Sequence, residues 1–186
     1  EPANLLVNGS FEHWTKWMAW GVTNAANGIL APVRWQLPQP NQAQWTRSED
    51  AHSGRYAVVA PWAVRLNMGT IEAFTGVDYH FGIWIKAAVQ GDDKRRNTVR
   101  VRVDGHAREG IQKLAEASGV ATSVWQRIGG TLKIPGHIGL VSFAVECAGG
   151  AVVLDDAYLS VELDGPYDVD RVLREKYGRD ADTLML

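Results

Sequence analysis

Apolar and polar positions alternate with a period of two through most of this chain, the repeat of strands buried on one side. From Tyr79 to Lys86, the residues Tyr79, Phe81, Ile83 and Ile85 fall on one face and His80, Gly82, Trp84 and Lys86 on the other. Val99, Val101 and Val103 likewise oppose Arg100 and Arg102, and Val141, Phe143 and Val145 oppose Ser142, Ala144 and Glu146. The pattern predicts strands over 56–61, 70–74, 79–88, 98–104, 122–134, 140–146 and 151–162, with the opening segment 4–14 reading as a further strand. Residues 107–118 read either as a short helix, because Ile111 and Leu114 share a helical face, or as a loop. Regularly spaced strands with no alternating helices indicate an all-β sandwich rather than a parallel α/β sheet.

Two stretches break the rhythm. Residues 13–48 are rich in Trp, Pro, Asn and Gln, and Pro32, Pro38 and Pro40 interrupt any regular element there, so this stretch reads as an excursion packed over the sandwich. Beyond Glu162, the turn Asp164-Gly165-Pro166 precedes a segment in which Asp168 can cap a short helix carrying Val169, Val172, Leu173 and Tyr177 on one side. The organisation expected is a sandwich over 1–163 and a tail with a short C-terminal helix over 164–186.

A chain of 186 residues is long enough to bury one substantial core. The net charge of −2 argues against a nucleic-acid surface, and the one basic run, Lys94-Arg95-Arg96, follows Asp92-Asp93 in a strand connection. No apolar run approaches the roughly 20 residues of a membrane span, and no signal peptide is visible. A start at Glu1 rather than Met is read as a trimmed product. Cys147 is alone, which rules out an internal disulfide and suits a small core residue. Of the eight tryptophans, Trp14, Trp17, Trp20, Trp35, Trp45 and Trp62 crowd the first third; indoles serve both cores and the flat platforms on which pyranose rings stack.

In the segment 152–159, strict alternation groups Asp155 with Val153, Ala157, Leu159 and Val161. A buried carboxylate needs a basic partner, a raised pKa or a metal ion. No Lys or Arg is near in sequence, and Glu12 supplies a second hard oxygen, which makes calcium the natural candidate.

The order Asn8-Gly9-Ser10-Phe11-Glu12 with Trp14, then His52-Ser53-Gly54-Arg55-Tyr56-Ala57, then 79–86, the Trp125 strand and Leu154-Asp155-Asp156, resembles carbohydrate-binding modules of the family 4, 16 and 22 group over about residues 4–162. That resemblance implies a galactose-binding-like jelly-roll β-sandwich, with a structural calcium where the first and last strands meet. The implied ligands are Glu12, Asp155 or its neighbour Asp156, and backbone oxygens near Ser10 and in Ser53 to Arg55. It also implies a sugar groove on the concave outer face of one sheet, a secreted setting, and an ancillary role beside a catalytic domain of the same polypeptide.

If the three alternating strands share a sheet, Trp84, Arg102, Arg100 and Glu146 build an outward surface suited to a polysaccharide or oligosaccharide, the indole stacking and the planar ions directing hydrogen bonds. The two arginines tilt that surface toward an acidic glycan. The same charges also read as ordinary cross-strand pairs. Trp62 either walls one end of such a groove or packs in the core. No catalytic set is visible: the five histidines are dispersed, no nucleophile elbow exists, and the only closely spaced carboxylate pair, Glu162 and Asp164, lies at the exit of the sandwich. The reading is a non-catalytic, calcium-stabilised, sugar-binding module; its rivals are a structural or interaction domain that binds no sugar, and a glycoside hydrolase or lyase.

Overall fold

The computed structural model describes residues 4–6, 9–12, 14–17, 29–32, 35–36, 46–60, 65–88 and 97–162. The strands are β1 (Trp14–Trp17), β2 (Ile29–Pro32), β3 (Trp35–Gln36), β4 (Thr46–Ser48), β5 (Ala57–Ala60), β6 (Arg65–Glu72), β7 (Asp78–Ala87), β8 (Thr98–Ala107), β9 (Gly110–Val120), β10 (Gln126–Lys133), β11 (Leu140–Ala148) and β12 (Val152–Glu162). Ten of them form two five-stranded sheets, ordered β10-β7-β12-β5-β4 and β3-β6-β11-β8-β9, while β1 and β2 pair as a separate ribbon. Every pairing is antiparallel. From β7 to β12 the chain passes repeatedly between the sheets, giving the jelly-roll β-sandwich that the alternation predicts. The C-terminal tail and its helix lie outside the described residues.

The inward rows are those of the sequence pattern. Tyr79, Phe81, Ile83 and Ile85 from β7 are buried against Val99, Val101 and Val103 from β8 and Val141, Phe143 and Val145 from β11. Burial of each such side chain stabilises by about 1.5–3 kcal/mol before conformational entropy is counted. Tyr79 keeps its phenol satisfied by accepting the Phe74 N–H at 2.7 Å. Trp35 is a core residue, packed on Phe11 with centroids 5.0 Å apart and edge-on to Phe143 at 6.0 Å. Cys147 is buried, which pushes its thiol up to about 12.

Three expectations are corrected. Residues 107–118 are neither helix nor loop but the end of β8 and most of β9, joined by a hairpin in which Gly110 takes φ = +133°. The opening segment forms no long strand among the described residues. Asn4 makes an isolated bridge to Ser160, its amide accepts the Leu6 and Leu159 N–H groups at 3.0 Å, and it donates to the Ala157 carbonyl at 2.8 Å. Third, Asp155 does not belong to the core-facing row. It lies opposite Trp84, on the outward face with Val153, whereas Leu154, Leu159 and Val161 face the core. A bulge between Asp155 and Tyr158, with Asp156 at φ = +45°, shifts the parity of the strand midway.

Candidate functional site

The outer face of the second sheet carries a polar floor laid across neighbouring strands. Pairing places Asn67 of β6, Ala144 of β11, Arg102 of β8 and Glu116 of β9 in one row. The next row holds Thr70, Ser142, Asp104 and Lys113, and the row on the other side holds Arg65, Glu146, Arg100 and Ser118. Ala144 is 2% exposed and Asp104 4%, so both are shielded from solvent at the centre of the face. Asp104 accepts a 2.6 Å bond from Arg102 Nε, a contact that raises the arginine's pKa further. Glu146 lies 3.7 Å from both Arg65 Nε and Arg100 Nη1, and the Ser142 hydroxyl meets His106 Nε2 at 2.9 Å. Asn67 Oδ1 is buried with no hydrogen-bond partner among the described residues.

Arg100, Arg102 and Glu146 therefore do share a surface, but Trp84 does not join them. Trp84 belongs to β7 in the first sheet, and its outward side faces away from β8 and β11. Period two assigns a side chain to a face without saying which sheet owns the strand. The Trp84 indole is stacked by His52, with centroids 3.8 Å apart and planes 15° off parallel, and Trp125 meets His52 edge-on at 5.7 Å. Lys86 sits 5.8 Å over the Trp125 ring and 2.8 Å from Asp50. This aromatic cluster fastens residues 50–56 to the sheet. Trp62 lies outside the described residues. Asn67, Asp104, Arg65 and His106 were not singled out by sequence. Asp104 and His106 continue the outward parity of Arg100 and Arg102, which was the available signal.

The proposed calcium ligands gather around the same 52–56 turn. Asp155, fully buried, accepts N–H bonds from His52 at 2.7 Å, Ser53 at 3.1 Å and Asp156 at 2.7 Å. Burial raises its pKa to about 6, against the lowering effect of those N–H groups. Glu12 Oε1 accepts the Arg55 and Tyr56 N–H groups at 2.8 and 2.9 Å. Gly54, at φ = +63°, lies so close to the Glu12 carboxylate that any Cβ would collide with it. Asp156 is occupied differently, by His52 Nδ1 and the Ser53 hydroxyl, each at 2.7 Å. Ser10 sits in the turn just before Glu12, and the Gly9 carbonyl accepts the Ala157 N–H at 2.9 Å, which brings the two ends together. Phe11 and Asp156, the non-glycine residues with positive φ among those described, adjoin the two carboxylates.

Glu12 and Asp155 present hard oxygens with no basic side-chain partner among the described residues, and the donors on them are backbone N–H groups. No group of three or more acidic, His or Cys side chains is placed to hold a metal among the described residues. Backbone carbonyls and water would have to complete the shell.

No protein-family model and no curated protein matches the sequence. Solved structures do match. The enzymatically active domain of tailspike protein 4 from bacteriophage CBA120 aligns over 86% of this chain with 13% identity and a TM-score of 0.59, and this chain spans 21% of that one. The family 16 carbohydrate-binding module 2 aligns over 84% of this chain and 99% of its own, at 14% identity and TM-score 0.56. A family 61 module solved with β-1,4-galactotriose aligns over 86% and 99%, at 18% identity and TM-score 0.55. The chain has the jelly-roll fold of these modules. At such identities the likeness speaks for architecture.

Proposed function

We propose that this chain binds carbohydrate without acting on it, through the outer face of the β3-β6-β11-β8-β9 sheet. The observation that carries the reading is the row Asn67, Ala144, Arg102, which sets an amide and a guanidinium on either side of a small residue, with the ion-paired Arg100, Glu146 and Asp104 in the rows beside it. Pyranose hydroxyls need such closely spaced, planar hydrogen-bonding groups. Neighbours of the same fold include modules that, by their descriptions, bind carbohydrate, one of them seen with a galactotriose.

The same face argues against hydrolysis. Asp104 is held by Arg102, Glu146 lies between Arg65 and Arg100, and Glu116 is 3.8 Å from Lys113, whereas glycoside hydrolysis requires a carboxylic acid facing a second carboxylate. A structural calcium at Glu12 and Asp155, secretion, and a place beside a catalytic domain of the same polypeptide complete the proposal.

The test is a glycan array of neutral and acidic polymers probed with the chain and with Arg102→Ala and Trp84→Ala. Binding lost in Arg102→Ala and kept in Trp84→Ala supports this face. Loss in Trp84→Ala alone moves the site to the other sheet, and silence from folded protein leaves a structural or interaction domain.

A further inference from the structure

The outer face of the second sheet changes character along its strands. Toward one end stand the paired ions Arg65, Glu146 and Arg100; at the other, pairing lines up Glu72 of β6, Leu140 of β11, His106 of β8 and Ile111 of β9 in one row. Leu140 is 41% exposed and Ile111 67%. Among the outward positions of β6, β8 and β11, Leu140 is the one large apolar side chain, and β9 adds Ile111 and, at its far end, Val120. A single exposed Leu or Ile means little, but two that flank an imidazole in one row make a small patch with a polar centre.

The polar centre retains a donor. His106 Nε2 and Ser142 Oγ are 2.9 Å apart, and both residues are partly exposed. Their bond uses one proton. If the imidazole donates, the hydroxyl keeps its O–H; if the hydroxyl donates, the imidazole keeps an N–H on its other nitrogen, so either tautomer leaves one donor for a ligand. Thr70, opposite Ser142 in the neighbouring row, adds an exposed hydroxyl, while the charged Glu72 and Lys113 stand to either side, on β6 and β9.

Resting on the carbohydrate reading of this face, we infer that the row Leu140, His106, Ile111 is an acetyl-recognising subsite. The methyl of an acetyl group carried by a neutral sugar packs against Leu140 and Ile111, and its carbonyl oxygen accepts the donor left on the His106–Ser142 pair. The two aliphatic side chains stand two strand spacings apart, about 10 Å at the backbone, with the imidazole between them. A bare pyranose offers its C–H faces to flat aromatic rings, and the outward positions of β6, β8, β9 and β11 hold no Trp, Tyr or Phe. A methyl joined to an acceptor is what two branched aliphatic residues around a donor complement. Acetamido and O-acetyl groups share that chemistry.

The experiment compares the full 186-residue chain with the double variant Leu140→Ser, Ile111→Ser, whose exposed positions let it keep the parent's melting temperature. Isothermal titration uses matched neutral pairs: O-acetylated against deacetylated xylan and mannan oligosaccharides, and chito-oligosaccharides against cello-oligosaccharides, which replace the acetamido group by a hydroxyl. The expected result is that the parent binds the acetylated member about fivefold to thirtyfold more tightly, and that the double variant binds both members as the parent binds the unacetylated one. Preference in only the first or only the second set names the group as O-acetyl or acetamido. Equal affinity of the parent for both members overturns the inference and leaves the carbohydrate face standing, as does a preference that survives in the double variant. Light scattering that finds a parent dimer and a monomeric double variant assigns the patch to a second copy of the chain and overturns it too. If the parent binds no glycan in any form, the inference falls together with the reading on which it rests.

Discussion

Asp155 shows how much one carboxylate can decide. Its folded pKa, about 6, lies above its ordinary 3.8 because burial outweighs three N–H bonds. The folded state then holds the proton more tightly than the unfolded chain between about pH 4 and 6. This contribution to stability is present at low pH and is lost as pH rises through 6, and it amounts to about 3 kcal/mol. Urea unfolding of the metal-free chain at pH 4 and pH 7, compared with Asp155→Asn, should show that the variant lacks this fall. The calcium proposed at Glu12 and Asp155 would favour the ionised form, so added calcium should shrink the fall in the parent and do nothing to the variant. Equal pH slopes in the two chelated proteins would remove the burial argument, and identical curves with and without calcium would remove the metal.

At the level of elements, strand alternation made the core readable: the inward rows of β7, β8 and β11 are those predicted, residue for residue. Period two fixes faces only within an uninterrupted strand and never fixes which sheet a strand joins. The bulge at Asp155–Tyr158 therefore reversed the face of Asp155, and Trp84 was assigned to a surface on the opposite side of the sandwich. Strand β9 escaped because none of its positions is fully buried, and the partly buried Leu114, Ala115 and Ala117 give a weak apolar signal. The half-legible site follows from the same rule: Arg100, Arg102 and Glu146 lie on regular strands, whereas Asn67 sits before a bulge in a strand whose start was placed five residues late. The placement of Trp84 in the first sheet, stacked by His52, yields a prediction. Trp84→Ala removes the platform under His52 and should cost about 1–3 kcal/mol, less than for a fully buried tryptophan, with faster hydrogen exchange across 50–56 and unchanged glycan affinity. A variant as stable as the parent, or one defective only in sugar binding, would contradict the clamp.

Taken over the whole molecule, the two outer faces divide the work. The first sheet spends its aromatic groups on fastening the 50–56 segment, and the second presents a polar surface in near electrical balance. Its described outward charges are Arg65, Arg100, Arg102 and Lys113 against Glu72, Asp104, Glu116 and Glu146. A chain of net charge −2 with such a face has little long-range field to draw in a polyanion. The sequence-level tilt toward an acidic glycan rested on Arg100 and Arg102 alone, and it weakens once their carboxylate partners are counted. Affinity for a neutral oligosaccharide should then change by less than about twofold between roughly 0.05 and 0.5 M NaCl, because the ligand carries no charge and the short Arg102–Asp104 pair is barely screened. Titration calorimetry across that range is decisive. A loss of tenfold or more with salt would mean that the arginines meet a charged ligand directly, and the face would have to be read as a site for acidic glycans in which Asp104 and Glu146 serve only to space the guanidinium groups.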